Sequence, residues 1–118
     1  MLEINVLVPK TGKPLVMDDT EAVVTGRPFV WAIKNEHPDV DVVGIEFPGG
    51  ETYFPGSSGP QARCEKLLVN DRATIWSMAP RIGQKNVTKP AKYTVYGKDA
   101  SGNIVCDIDP MILPTDPP

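Results

Sequence analysis

The stretch Phe29-Val30-Trp31-Ala32-Ile33-Lys34 sets large apolar side chains, Phe29, Trp31 and Ile33, at every second position. Successive side chains of a pleated chain point to opposite sides, so this period of two reads as a strand with one face in a core. Pro28 stands at its start, where a missing backbone donor is tolerated, and Asn35-Glu36-His37-Pro38 reads as the turn that closes it.

The same pattern recurs in both directions. Upstream, Leu2, Ile4, Val6 and Val8 share a face opposite Glu3, Asn5 and Leu7, and Pro9 to Pro14 make a turn. Leu15–Met17 and Ala22–Thr25 are short strand candidates. Downstream, Val40 and Val42 have one parity and Ile45 and Phe47 the other, with Gly44 at the break, which predicts a bulge at Val43-Gly44. Lys66–Val69 and Ala73–Met78 are strand-like, with Asn70-Asp71 either a hairpin turn or the polar face of one bent strand. Tyr93 and Val95 alternate with Thr94 and Tyr96, Lys98–Gly102 reads as a hairpin loop, and Ile104, Cys106 and Ile108 are expected on the inner face of the last strand. The Pro-rich tail from Asp109 is expected to be extended rather than helical.

Composition agrees. Val and Ile together number 21 against 6 Leu, a β-branched bias that fits pleated surfaces. Gly and Pro number 23 of 118 residues and fall between the apolar runs. One domain spanning residues 1–118 follows, all-β, a sandwich of about seven strands. A net charge of -3 gives no attraction to phosphate backbones, so no nucleic-acid partner is expected. No apolar run is long enough to span a bilayer as a helix, so no membrane partner is expected. Met1 to Val6 alternates like a strand and lacks the pattern of an export signal, which points to the cytoplasm and leaves export open.

Chemical motifs are sparse. The chain has one histidine, His37, and two cysteines, Cys64 and Cys106. A blue-copper centre takes two His and a Cys, so the missing second His argues against one. His37 reads as a solvated turn residue, and the cysteines as two small, buried, inert side chains, reduced by default, with a structural disulfide or a redox or metal pair as the alternatives. Asp39 with Asp41, and Asp107 with Asp109, read as solvated strand faces rather than cation sites. Ser57-Ser58 lacks both the phosphate-loop and the nucleophile-elbow pattern, and Asn86-Val87-Thr88 reads as a chance glycosylation sequon. No catalytic residue, metal or cofactor is expected.

Loops carry the remaining signal. Pro48–Arg63 contains seven Gly or Pro in sixteen residues and also Tyr53 and Phe54, and so long a loop is uncommon in a small domain unless it works. The stretch 79–92 carries Arg81, Lys85, Lys89 and Lys92 and no acid. Tyr53, Phe54, Arg63, Arg81 and Lys85 are therefore the expected binding residues, for an unknown protein or small-molecule partner.

The C-terminal part, from Tyr93-Thr94-Val95-Tyr96 through Asp99-Ala100-Ser101-Gly102 to Asp109-Pro110-Met111-Ile112, closing on Thr115-Asp116-Pro117, resembles the small bacterial DP-EP family. Asp116-Pro117 stands where a Glu-Pro would complete that pattern. The resemblance covers residues 93–118 and implies an immunoglobulin-like or cupredoxin-like Greek-key sandwich, with no assigned activity and no site to carry over. The expected function is a non-enzymatic binding or interaction module; the alternative is a degenerate cupredoxin-like metal or redox domain using Cys64 and Cys106.

Overall fold

In the computed structural model, which describes residues 2–16, 20–24, 27, 29–46, 61–64, 66–76 and 91–115, the alternating stretches become strands. In chain order these are β1 (Glu3–Val8), β2 (Leu15–Val16), β3 (Thr20–Val24), β4 (Val30–Asn35), β5 (Val42–Glu46), β6 (Gln61–Cys64), β7 (Arg72–Trp76), β8 (Ala91–Lys92), β9 (Thr94–Lys98), β10 (Ile104–Ile108) and β11 (Met111–Thr115). They form sheets of order β2-β1-β4-β7, β10-β9-β5-β6 and β3-β11-β8. Two pairs are parallel, β1 with β4 and β3 with β11. Parallel neighbours need crossovers, so the chain passes between sheets and is no simple meander.

The core lies between the sheets. Ile4, Val6, Val8, Trp31, Ile33, Val43, Ile45, Val95 and Ile112 are buried in it. Phe29, Trp31 and Tyr93 stack edge to face, with centroids 4.9 Å and 5.7 Å apart. Trp31 Nε1 donates to the Tyr93 hydroxyl at 3.2 Å, so the polar atoms of both large rings are served inside an apolar core.

Several expectations fail for identifiable reasons. The bulge foreseen at Val43-Gly44 is absent, since β5 pairs in unbroken register with both β6 and β9. The parity change lies earlier, because buried Val40 sits before the strand begins. Gly44 is needed for another reason: the Tyr96 ring of β9 occupies the place a Gly44 Cβ would take. The bulge of this sheet is in β10, between Ile104 and Cys106. It turns Ile104 outward, 60% exposed, while Cys106 stays buried and Ile108 packs against the core from a half-buried position. Gln61–Arg63 belong to β6 rather than to the loop expected over 48–63. Lys66–Val69 is not a strand but part of the turn that carries the chain from β6 to β7 in the other sheet.

Candidate functional site

The connections β4–β5 (36–41), β6–β7 (66–71 of it) and β9–β10 (99–103) meet at one end of the sandwich, and Asn35 ties the first two together. Asn35 closes β4 and is fully buried. Its Nδ2 donates to Val40 O at 3.1 Å and to Leu68 O at 3.4 Å, and its Oδ1 accepts the His37 N–H at 3.1 Å. Its backbone N–H donates to Asp71 O at 2.9 Å, and its carbonyl accepts from Asn70 N at 2.6 Å. An amide with donors and an acceptor on one head serves loops of two different connections at once.

The third connection is joined through the backbone. Asp41 N donates to Lys98 O, and Leu67 N to Asp41 O. Asp99 Oδ1 accepts the N–H groups of Ser101 and Asn103 at 3.0 and 2.9 Å, and Gly102 takes a φ of +85°, which glycine adopts without penalty. His37 is buried rather than solvated, because the Asn35 head and the Asp39 N–H, which donates to His37 Nδ1 at 3.0 Å, draw it into the turn.

On this frame the β6–β7 turn faces its apolar residues outward. Leu67 is buried, but Leu68 and Val69 are 69% and 51% exposed. Lys66 and Asn70, on either side, hold positive φ of 56° and 68°, a conformation that asparagine adopts readily and that is costly for a long side chain such as Lys66. Asp71 Oδ2 accepts the Leu68 N–H at 2.8 Å and fixes the turn. Leu68 and Val69 line a shallow open depression with Val105 of β10 and with Asp39, Asp41 and Asp99. Sequence reading missed this surface because a run of apolar residues reads as core; the turn signal Asn70-Asp71 was the available hint.

Of the expected binding residues, Tyr53, Phe54, Arg81 and Lys85 lie outside the described residues, and Arg63 is placed by its backbone in β6, paired with Gly44. The strand ends that border the two long segments, Glu46 and Gln61, Trp76 and Ala91, stand at the end of the sandwich away from the 66–71 turn. These four bordering residues lie at the end opposite the acidic depression.

The cysteines do not form a joint site. Cys64 pairs with Val43, Val43 with Gly97, and Gly97 with Cys106, so one row crosses all four strands of the sheet with a thiol at each edge. Three strand spacings separate them by roughly 14 Å, far beyond the roughly 7 Å at which a disulfide fails. Burial pushes both thiols up; for Cys106 a hydrogen bond from the Gly97 backbone offsets part of this and the Asp107 charge adds to it.

No family model matches the chain, and no curated protein matches it. Among solved structures it is similar to Na-dithionite reduced auracyanin from the photosynthetic bacterium Roseiflexus castenholzii, at 14% identity and a TM-score of 0.57, with 98% of each chain covered. It also overlaps a laccase and a multi-copper oxidase from Pediococcus acidilactici, each at 15% identity with TM-scores of 0.43 and 0.42, and spans about a quarter of each of those chains. A copper centre of two His and a Cys does not fit the described residues here: no His, Cys, Asp or Glu group among them has metal-holding geometry, and His37 Nδ1 already accepts a backbone N–H. The full-length likeness to auracyanin, together with the mixed sheet order, shows that this chain has the cupredoxin-like sandwich fold.

Proposed function

We propose that the chain is a non-enzymatic binding module that docks a partner protein through the turn end of its sandwich. The observation that carries this is the presentation of Leu68 and Val69: exposed aliphatics on a turn held by the buried Asn35 head and by Asp71, between two positive-φ residues. Backbone in sparsely populated regions tends to mark working surfaces, and apolar side chains held rigidly in water lose little freedom on binding.

The test is a selection of random peptides displayed against the immobilised chain, compared with Leu68→Ser/Val69→Ser. Both positions are exposed, so the double variant should keep its stability to within about 0.5 kcal/mol. The enriched pool should bind the native chain and lose most of its affinity for the variant. A pool that binds the variant equally well, or no enrichment at all, overturns the reading.

A further inference from the structure

The polar lining of the depression has one sign. Asp39, Asp41 and Asp99 face it, and among the described residues no Lys or Arg lines it. Asp99 is held in place by two backbone N–H groups, and Asp39 is exposed at the rim. The cations nearest in sequence lie elsewhere: Lys98 Nζ stands over the Tyr96 ring, 5.1 Å from its centroid, and exposed Lys66 is outside the lining. Carboxylates of one sign grouped on one surface give it a negative potential that attracts cations.

We infer that the occupant of this surface is a basic protein segment, with one apolar side chain set against Leu68, Val69 and Val105 and flanking Lys or Arg meeting Asp39 and Asp41. The inference rests on the docking reading above and adds the partner's chemistry. Aliphatic contact supplies most of the attraction once water is excluded; the carboxylates select the sign of the partner, speed its approach and turn acidic surfaces away.

The most enriched peptide of the selection, synthesised and titrated against the intact chain, is the probe. Its sequence should carry an aliphatic or aromatic residue flanked by Lys or Arg. Asp39→Asn/Asp41→Asn, which keeps side-chain shape and leaves Asp99 in its turn, should weaken binding about tenfold. Raising salt from about 50 to about 500 mM should weaken the native complex by a similar factor and the double Asn variant far less.

If Leu68→Ser/Val69→Ser abolishes binding while Asp39→Asn/Asp41→Asn and salt leave it unchanged, the docking surface stands and the basic partner is refuted. If Leu68→Ser/Val69→Ser binds as the native chain does, both readings fall. Concentration-dependent self-association in sedimentation, lost in Leu68→Ser/Val69→Ser, would assign the surface to a second copy of the chain and also overturn the inference.

Discussion

Asn35→Asp changes one atom of the amide head and reverses its role toward two loops. The carboxylate still accepts the His37 N–H, but the donors to Val40 O and Leu68 O are gone. A buried carbonyl left without its partner costs about 1–3 kcal/mol, which applies to Val40 O at 3.1 Å; the longer, half-exposed contact to Leu68 O at 3.4 Å adds about 0.5–1. Asn35→Ala also strips the His37 N–H of its acceptor, so it should lose about 2–4 kcal/mol. Asn35→Asp adds a charge facing carbonyl oxygens at a fully buried position, for about 3–5 kcal/mol at neutral pH. The new carboxyl is easier to bury protonated, so its folded pKa lies above the unfolded value of about 3.9. The extra loss is then absent below that value and grows as pH rises through the folded pKa. Urea unfolding of the native chain and both variants at pH 4 and pH 7 measures this. Variants within about 0.5 kcal/mol of the native chain, or an Asn35→Asp deficit no larger at pH 7 than at pH 4, would refute the role of Asn35 as the tie between the loops.

The Tyr96 ring stands where a Gly44 Cβ would go, so Gly44→Ala should cost about 1–3 kcal/mol by overpacking; adding Tyr96→Ala should recover part of it, and simple additivity in the double-mutant cycle would contradict the contact. The Tyr93 hydroxyl is pushed up to about 12 by burial, with the Glu21 charge adding to the shift and the hydrogen bond from Trp31 opposing it. Its contribution to stability is complete below the unfolded pKa of about 10 and is lost as pH rises toward 12, about 2–3 kcal/mol in all. Phenolate absorbance should show one of the three tyrosines ionising only as the circular dichroism of the fold is lost, and a Tyr93 that titrates near 10 in the native state would count against this packing. Half-exposed Cys64 should react with a thiol reagent faster than buried Cys106, and both should react at once in denaturant. An intramolecular disulfide in the native chain would contradict the four-strand row between them.

What the sequence made legible was local. β1 and β9 alternate in burial and β4 does so from Trp31 on, with Val30 buried beside it although it lies on the other face, and Phe29, Trp31, Ile33 and Val95 are in the core as expected. Legibility failed where pairing decides the face. Ile104-Val105-Cys106 is apolar at each position, so either parity suits it, and the bulge that exposes Ile104 is set by register against β9. Gly44 in a strand signals either a bulge or a close neighbour; the neighbour, Tyr96, comes from a strand that begins about fifty residues later. β6 was hidden because its alternation, Ala62 and Cys64 against Gln61 and Arg63, spans only four residues with small apolar side chains and follows a Gly/Pro run.

The candidate surface was hidden for the same reason in a sharper form. Leu67-Leu68-Val69 is an ordinary core tripeptide by composition, and burial is the default for such residues. The backbone of this turn is tied to Asn35, which lies 33 residues before Leu68, and to the Asp71 carboxylate. Asn35 itself, placed before Glu36-His37-Pro38, has the look of a turn residue in water, yet it is among the most buried side chains of the molecule. A polar group is tolerated at such depth only when its bonds are complete, and removing one side of them costs more than the bonds add. The tie and the turn belong together: Asn35 and Asp71 hold the turn's backbone, so under the proposed docking its ordering cost is met during folding. Exposed aliphatics alone are ordinary on a protein surface; it is the grouping of Leu68, Val69 and Val105 with Asp39, Asp41 and Asp99 in one depression that gives the physical reason to look for function at this end.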